Sequence, residues 1–164
     1  MIKYLVFFIL LFSFYTFAGE PKLKVELANK DNNIRLYLIN YGNDVLVNTR
    51  FSLGPYPEFP PEVQFEIVNI KGKKFPFGPK HMTGPSVEEK DIVLLGKRHF
   101  IGIEFHITTL ILCHHLKPGT YKARVTYENT DDEFKGVYIG RLTSNWVTFE
   151  VPEKKEDIVW PEKE

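Results

Sequence analysis

One short stretch limits the folds open to this chain more than any other part of its sequence. After a turn at Pro118 and Gly119, apolar and polar side chains alternate from Tyr121 to Tyr127. A period of two places the apolar side chains on one face of a β-strand and the polar ones on the other. The stretch therefore predicts a half-buried antiparallel strand. A tyrosine directly after a tight turn is also expected to bond, through its hydroxyl, to the backbone a few residues upstream.

The same alternation recurs along the chain, and residues typical of turns separate the segments. No stretch has a convincing helical period, apart from a single helical turn expected at residues 110 and 111, and Gly102 is expected to mark a β-bulge. The chain thus predicts an all-β domain, a single antiparallel Greek-key sandwich of about seven to nine strands, over residues 22–151. The expected strands are 23–27, 34–39, 45–51, 63–68, 91–95, 100–107, 121–127 and 142–151.

The first residues have the pattern of a secretory signal peptide. Lys3 precedes an apolar run over residues 4–17, and Ala18 provides a small residue at the exit. The run is shorter than the roughly 20 residues that a spanning helix needs, so cleavage is favoured over a retained membrane anchor. We therefore expect residues 1–18 to be removed and the protein to be periplasmic or extracellular, without a membrane association of its own.

Charge and cysteine content narrow the functional classes. The 164 residues carry 21 basic and 21 acidic side chains, which argues against nucleic acid or anionic lipid as a partner. Cys113 is the only cysteine, so no internal disulfide can form and packing must hold the fold. No cofactor motif is present.

Three segments resemble parts of known sandwich domains. Residues 116–121 resemble the turn and tyrosine that begin the sixth strand of immunoglobulin-like and fibronectin type III domains. Residues 143–151 resemble the last strand of small exported bacterial sandwiches, and residues 91–96 resemble the strand before their central hairpin. The resemblance implies an immunoglobulin-like fold. Ala123 stands where antibody-type domains have their second disulfide cysteine, and the resemblance identifies no functional residues.

The histidines and the cysteine are the candidates for chemistry. The five histidines, His81, His99, His106, His114 and His115, lack the spacing of a metal site, so surface or loop positions are favoured. A Cys113–His114 nucleophile pair is disfavoured because neighbouring residues on a strand point apart, and a buried, inert thiol is expected. Asn129, Asp131, Asp132 and Glu133 fit no calcium loop and are read as a solvated turn.

A proline-rich segment, residues 54–61, carries Tyr56 and Phe59 on a stiff strip that could dock onto another protein. The competing interpretation is that its prolines only blunt an edge strand. Trp160 lies in the charged tail, residues 152–164. The sequence therefore predicts a non-enzymatic module that binds another protein through loops or an edge strand, with Tyr56, Phe59 and Trp160 as anchors. A proteinase inhibitor is one specific version, and a metal-binding or metal-dependent protein using the histidines is the alternative.

Overall fold

The computed structural model describes residues 22–31, 33–51, 62–78, 87–130 and 133–153. The predicted leader and the three predicted anchors, Tyr56, Phe59 and Trp160, lie outside these residues. Most of the described chain is antiparallel β-strand with one short α-helix, so the all-β prediction is confirmed. Within the described ranges, no helix is long and apolar enough to cross a membrane.

The elements follow the predicted alternation closely. A short 3-10 turn at Glu89–Asp91 precedes the sixth strand. The elements in chain order are β1 (Leu23–Lys30), β2 (Asn33–Asn40), β3 (Val45–Asn48), β4 (Val63–Asn69), β5 (Lys74–Phe75), β6 (Ile92–Leu95), β7 (Phe100–His106), α1 (Ile107–His114), β8 (Gly119–Asn129), β9 (Gly140–Thr143) and β10 (Val147–Val151).

The strands form three antiparallel sheets. The three-stranded sheet has the order β1-β2-β7, and the five-stranded sheet has the order β10-β8-β4-β5 with β9 also paired to β8. Strands β3 and β6 form a separate pair. The two larger sheets face each other, and the rings of Phe65 on β4 and Phe105 on β7 meet edge to face with centroids 5.3 Å apart.

The core follows from the period of two. On β2, Ile34, Leu36 and Leu38 are fully buried, whereas the residues between them reach the surface. On β8, the inward residues from Tyr121 to Tyr127 are likewise buried. Because apolar burial is the main favourable term in folding, this alternation fixes which face of each strand turns inward.

The predicted bond from the first tyrosine of β8 is present. The Tyr121 hydroxyl donates to the Lys117 carbonyl at 2.7 Å and accepts from the Lys117 N–H at 3.2 Å. Its ring stacks on Phe149, with centroids 5.7 Å apart, and meets Phe75 edge to face. The turn before β8 is thus tied to the core by one side chain.

Three local predictions are corrected by the structure. The predicted last strand is two strands, because Ser144 leaves the ladder: its hydroxyl accepts from the Val125 N–H at 2.9 Å. The predicted bulge at Gly102 is wrong, since β2 and β7 pair in an unbroken register. The single helical turn is an eight-residue helix, α1.

Candidate functional site

Strand β7 forms one edge of the three-stranded sheet. It pairs with β2 along its whole length, from Ile39 opposite Phe100 to Asn33 opposite His106. Among the residues that the structure describes, no strand pairs with its other side. An unpaired strand edge presents backbone N–H and C=O groups to any chain that can align with it.

The register shows which backbone groups of β7 point outward. Leu27 on β1 bonds through its N–H and C=O to a side chain, Asn145, so it does not exchange these bonds with Leu36 opposite it. Bonded and non-bonded pairs alternate in antiparallel strands, so the backbone of Leu36 bonds to Ile103 on its other side. The backbone groups of Phe100, Gly102 and Glu104 then point away from the sheet, as does the N–H of His106; the C=O of His106, at the N-cap of α1, accepts the first bond of that helix.

An apolar groove lies beside this edge. Its volume is about 230 Å³, and we call it the β7 groove; it is lined by Arg35, Tyr37, Phe100, Gly102, Ile103 and Glu104. Phe100 is 65% exposed and Ile103 is 36% exposed, high fractions for large apolar side chains in regular strands. The rings of Tyr37 and Phe100 meet edge to face, with centroids 5.6 Å apart.

Gly102 is explained by the ring of Tyr37. A Cβ at this position would lie 2.9 Å from the Leu36 carbonyl oxygen and 2.9 Å from Cδ1 of Tyr37. The ring therefore rests on the bare backbone of β7 and covers the glycine, which is how aromatic residues protect glycines in strands. Because Gly102 has no side chain, it leaves room for the Tyr37 ring while β7 stays regular.

The usual protection of an edge strand is missing from β7. Natural edges carry prolines, lysines or bulges that prevent another strand from pairing. Strand β7 contains no proline or lysine, its register is regular, and its one acidic side chain is engaged: Glu104 accepts from Arg35 at 2.6 Å. As far as the described residues go, the edge is therefore open to strand addition, in which backbone bonds give affinity and side-chain pockets give selectivity.

A second candidate site is a buried polar cluster at the two ends of the predicted proline-rich segment. Arg50 and Glu62 lie on either side of residues 52–61 and form an ion pair at 2.5 Å, with side chains only 9% and 4% exposed. Asn48 donates to Glu62 and to Asn129, and the Tyr127 hydroxyl donates to the Asn48 carbonyl at 2.8 Å. Burial, and then the nearby Glu62 carboxylate, raise the pKa of Tyr127. We call these five residues the loop stem.

The histidines are dispersed. His99 and His106 lie at opposite ends of β7, and His115 is exposed at the end of α1. His81 lies outside the described residues. In the described ranges, no three His, Cys, Asp or Glu side chains come together in a way that could hold a metal ion. The alternative prediction of a histidine metal site thus gains no geometric support from these residues.

His114 is buried, so the predicted surface or loop position is wrong for it, and its ring bonds to the backbone of β5. Its Nδ1 lies 2.8 Å from the Phe75 carbonyl oxygen and its ring meets Phe77 edge to face, and among the described residues the buried Nε2 has no hydrogen-bond partner. Burial lowers the pKa of His114, so the neutral ring donates from Nδ1. Cys113 is half-buried, and burial raises the pKa of its thiol. The expected inert thiol fits this environment better than a nucleophile does.

The predicted acidic turn is only partly described. Asn129 is buried, and its amide donates to the Tyr138 carbonyl at 2.9 Å, so it belongs to the fold rather than to a solvated tip. Asp131 and Asp132 lie outside the described residues. Asn129, the first of the four predicted oxygen donors, therefore points into the fold.

Sequence reasoning missed the residues of the β7 groove, because an edge is defined by which strands pair and not by any one segment. The available signal was a run of apolar residues over 100–105 interrupted by one acidic side chain. A scan of protein families found no match to this chain, and a search of curated proteins found none either. What the β7 groove and the loop stem can do therefore follows from their own chemistry.

Proposed function

We propose that this chain is an exported, non-enzymatic module with an immunoglobulin-like fold, which binds another protein by adding an extended segment of that protein to β7. The observation that carries the proposal is the outward row of backbone groups on β7, unpaired within the described residues, beside an exposed apolar groove. Strand addition of this kind is a recurring mode of peptide recognition.

Two further observations support the finer parts of the proposal. The sheet orders β1-β2-β7 and β10-β8-β4-β5, together with the Tyr121 corner, agree with an immunoglobulin-like Greek key. The apolar leader in residues 1–18 and the small-residue exit at Ala18 favour export.

The geometry suggests how a segment would be held. Its backbone would bond to Phe100, Gly102, Glu104 and His106, which gives affinity for any extended chain. Apolar side chains on the segment would contact Phe100 on one face of the sheet and Ile103 on the other, so extended segments rich in apolar residues are preferred. The Arg35–Glu104 ion pair marks the polar end of the groove.

Peptide display tests this proposal. A library of random peptides about ten residues long, selected on the immobilised protein, should yield extended sequences rich in apolar residues. Ile103→Lys places a charge on the edge and should weaken their binding at least about tenfold. Leu94→Lys is the matched control, because Leu94 is 62% exposed on β6, away from β7, and should leave binding unchanged.

Hydrogen exchange locates the bound peptide. The amides of Gly102, Glu104 and His106 should become protected, whereas the amide of Ile103, already bonded to β2, should change little. Binders that tolerate Ile103→Lys, or protection confined to other strands, would refute strand addition at β7.

The loop stem favours a second candidate, a proteinase-inhibitor role for residues 54–61. A buried ion pair between Arg50 and Glu62 fixes the two ends of this loop, as an inserting loop requires. Replacing Tyr56 and Phe59 together by Ala should abolish inhibition in a panel of serine and cysteine proteinases while leaving the melting temperature nearly unchanged. A large loss of stability would place both rings in the core and remove the argument.

A further inference from the structure

We infer that the segment added to β7 is β7 of a second copy of this chain, so that two three-stranded sheets join into one continuous sheet across a twofold axis. This inference names the partner and therefore rests on the proposed function. Its basis is the self-complementarity of the strand, which runs from Phe100 to His106 with Ile103 at its midpoint.

A twofold axis through Ile103 brings every outward backbone group into register. Phe100 then lies opposite His106 of the second copy, and Gly102 lies opposite Glu104 of the second copy. These four residues are the ones whose backbone groups point away from β2. The strand is thus paired along its length, and the one outward group already engaged is the His106 carbonyl at its end, which accepts the first bond of α1.

Neighbouring registers are less favourable. An axis through Glu104 would set two carboxylates directly opposite each other, which destabilises a strand pair. An axis through Gly102 would leave His106 outside the overlap and shorten the ladder. The register centred on Ile103 is the one that uses the full strand and separates the like charges.

The side chains fit the same register. The two Ile103 side chains meet in a non-hydrogen-bonded pair, where Cβ atoms lie about 4.5–5.5 Å apart and cover each other's exposed surface. On the opposite face, Glu104 of one copy lies beside Gly102 of the other, which has no side chain to obstruct it. Glu104 can therefore keep its ion pair with Arg35. A net charge of zero adds no long-range repulsion between copies.

The other edge of the sheet does not compete. On β1, the Asn145 side chain occupies both the N–H and the C=O of Leu27. Pairing through β7 consequently closes after two copies instead of continuing from sheet to sheet.

Sedimentation equilibrium of the mature chain tests the inference. The wild type should show a concentration-dependent dimer, and Ile103→Lys should raise the dimer dissociation constant at least about tenfold. Leu94→Lys should sediment like the wild type. Circular dichroism and thermal unfolding show whether the Ile103→Lys variant remains folded.

A cysteine at the axis gives an independent readout. In a Cys113→Ser background, Ile103→Cys should form an interchain disulfide under mild oxidation, because residue 103 of one copy lies directly opposite residue 103 of the other. Ile101→Cys lies on the same face but would oppose Phe105 of the second copy, so it should remain largely uncrosslinked.

The outcomes separate this inference from the proposed function. A wild type that stays monomeric, with no Ile103→Cys crosslink, overturns the dimer; if library peptides still protect the outward amides of β7, strand addition stands with another partner. A dimer that survives Ile103→Lys and does not crosslink through Ile103→Cys uses a different surface and also overturns the inference.

Discussion

The two edges of the three-stranded sheet are treated in opposite ways. At β1, Asn145 donates to the Leu27 carbonyl at 3.0 Å and accepts from the Leu27 N–H at 2.9 Å, as a neighbouring strand would. Asn29 adds a bond to the Thr148 carbonyl at 2.8 Å. At β7, the described residues supply no such closing side chain, and an apolar groove lies alongside.

A single side chain is enough to close the centre of a strand edge. One side-chain amide, delivered from the opposite sheet, satisfies both backbone groups that β1 presents at its centre. Edges left open in soluble domains tend to aggregate, so an open edge beside a closed one is more consistent with a use for pairing than with neglect.

The largest effect is expected from opening the closed edge. Asn145→Ala removes both bonds to Leu27 and should lower the free energy of unfolding by about 2 kcal/mol, since each such bond contributes roughly 1 kcal/mol. The variant should also associate beyond a dimer, because both edges can then pair. Urea unfolding and light scattering measure the two effects.

Thr148→Ala is the matched control, because it keeps the backbone carbonyl that Asn29 uses. If Asn145→Ala proved as stable and as small in solution as the wild type, the amide would not be closing the edge.

The next largest effect is expected at Gly102, which the Tyr37 ring covers. In Gly102→Ala the new methyl group meets the Leu36 carbonyl oxygen and the Tyr37 ring, both at 2.9 Å, so the strand or the ring must shift. We expect a loss of about 1–2 kcal/mol in urea unfolding and weaker binding at β7, with no change at β1. Stability equal to the wild type, with binding retained, would show that Tyr37 does not shape the open edge.

Acidification should loosen the β7 side of the sheet before the β1 side. His114, at the end of the helix that follows β7, has a pKa below its ordinary value of 6.5 because it is buried. Folding therefore disfavours its protonated form, and within the described part of the chain Nε2 has no acceptor at hydrogen-bond distance for a second proton. Its contribution to stability is complete above pH 6.5 and is lost as the pH falls toward the folded-state pKa.

Hydrogen exchange at pH 7 and pH 5 measures this directly. Protection should fall at Gly78, whose N–H donates to the Cys113 carbonyl, and should persist in β1. His114→Gln should flatten the pH dependence of the melting temperature and lower stability by about 1 kcal/mol at neutral pH, whereas His99→Gln, at an exposed site, should do neither. An unchanged slope in His114→Gln would assign the acid response elsewhere.

The smallest effect on stability is expected at the polar end of the groove. The Arg35–Glu104 pair is more than a third exposed on both sides, so Arg35→Ala should change the free energy of unfolding by less than about 1 kcal/mol. Freed Glu104 carboxylates would nevertheless weaken pairing at β7, most strongly at low salt. Binding that is insensitive to both the substitution and salt would exclude this ion pair from the contact.

The sequence was sufficient for the class of fold because each strand carries its own evidence. Alternation located β2, β4 and β7 to within one residue at each end, since a shift of one position would expose every inward side chain, whereas β1 extends three residues beyond its predicted end at residue 27. The turn and tyrosine before β8 also predicted a contact that is local in the chain, between Tyr121 and Lys117.

Predictions failed where the cause lies far away in the chain. Gly102 was read as a bulge because Tyr37, which covers it, is on another strand. Asn145 interrupts the last strand to reach Leu27, 118 residues away in sequence. An open edge is also a relation between strands, so neither the β7 groove nor its contrast with β1 could be read from one segment.

The ion pair between Arg50 and Glu62 has a consequence for how this domain can vary. The buried ion pair holds the two ends of the intervening segment close together, and the entropy cost of closing such a segment grows only slowly with its length. Sequences of other lengths could be grafted between those two positions while the sheets below keep their arrangement.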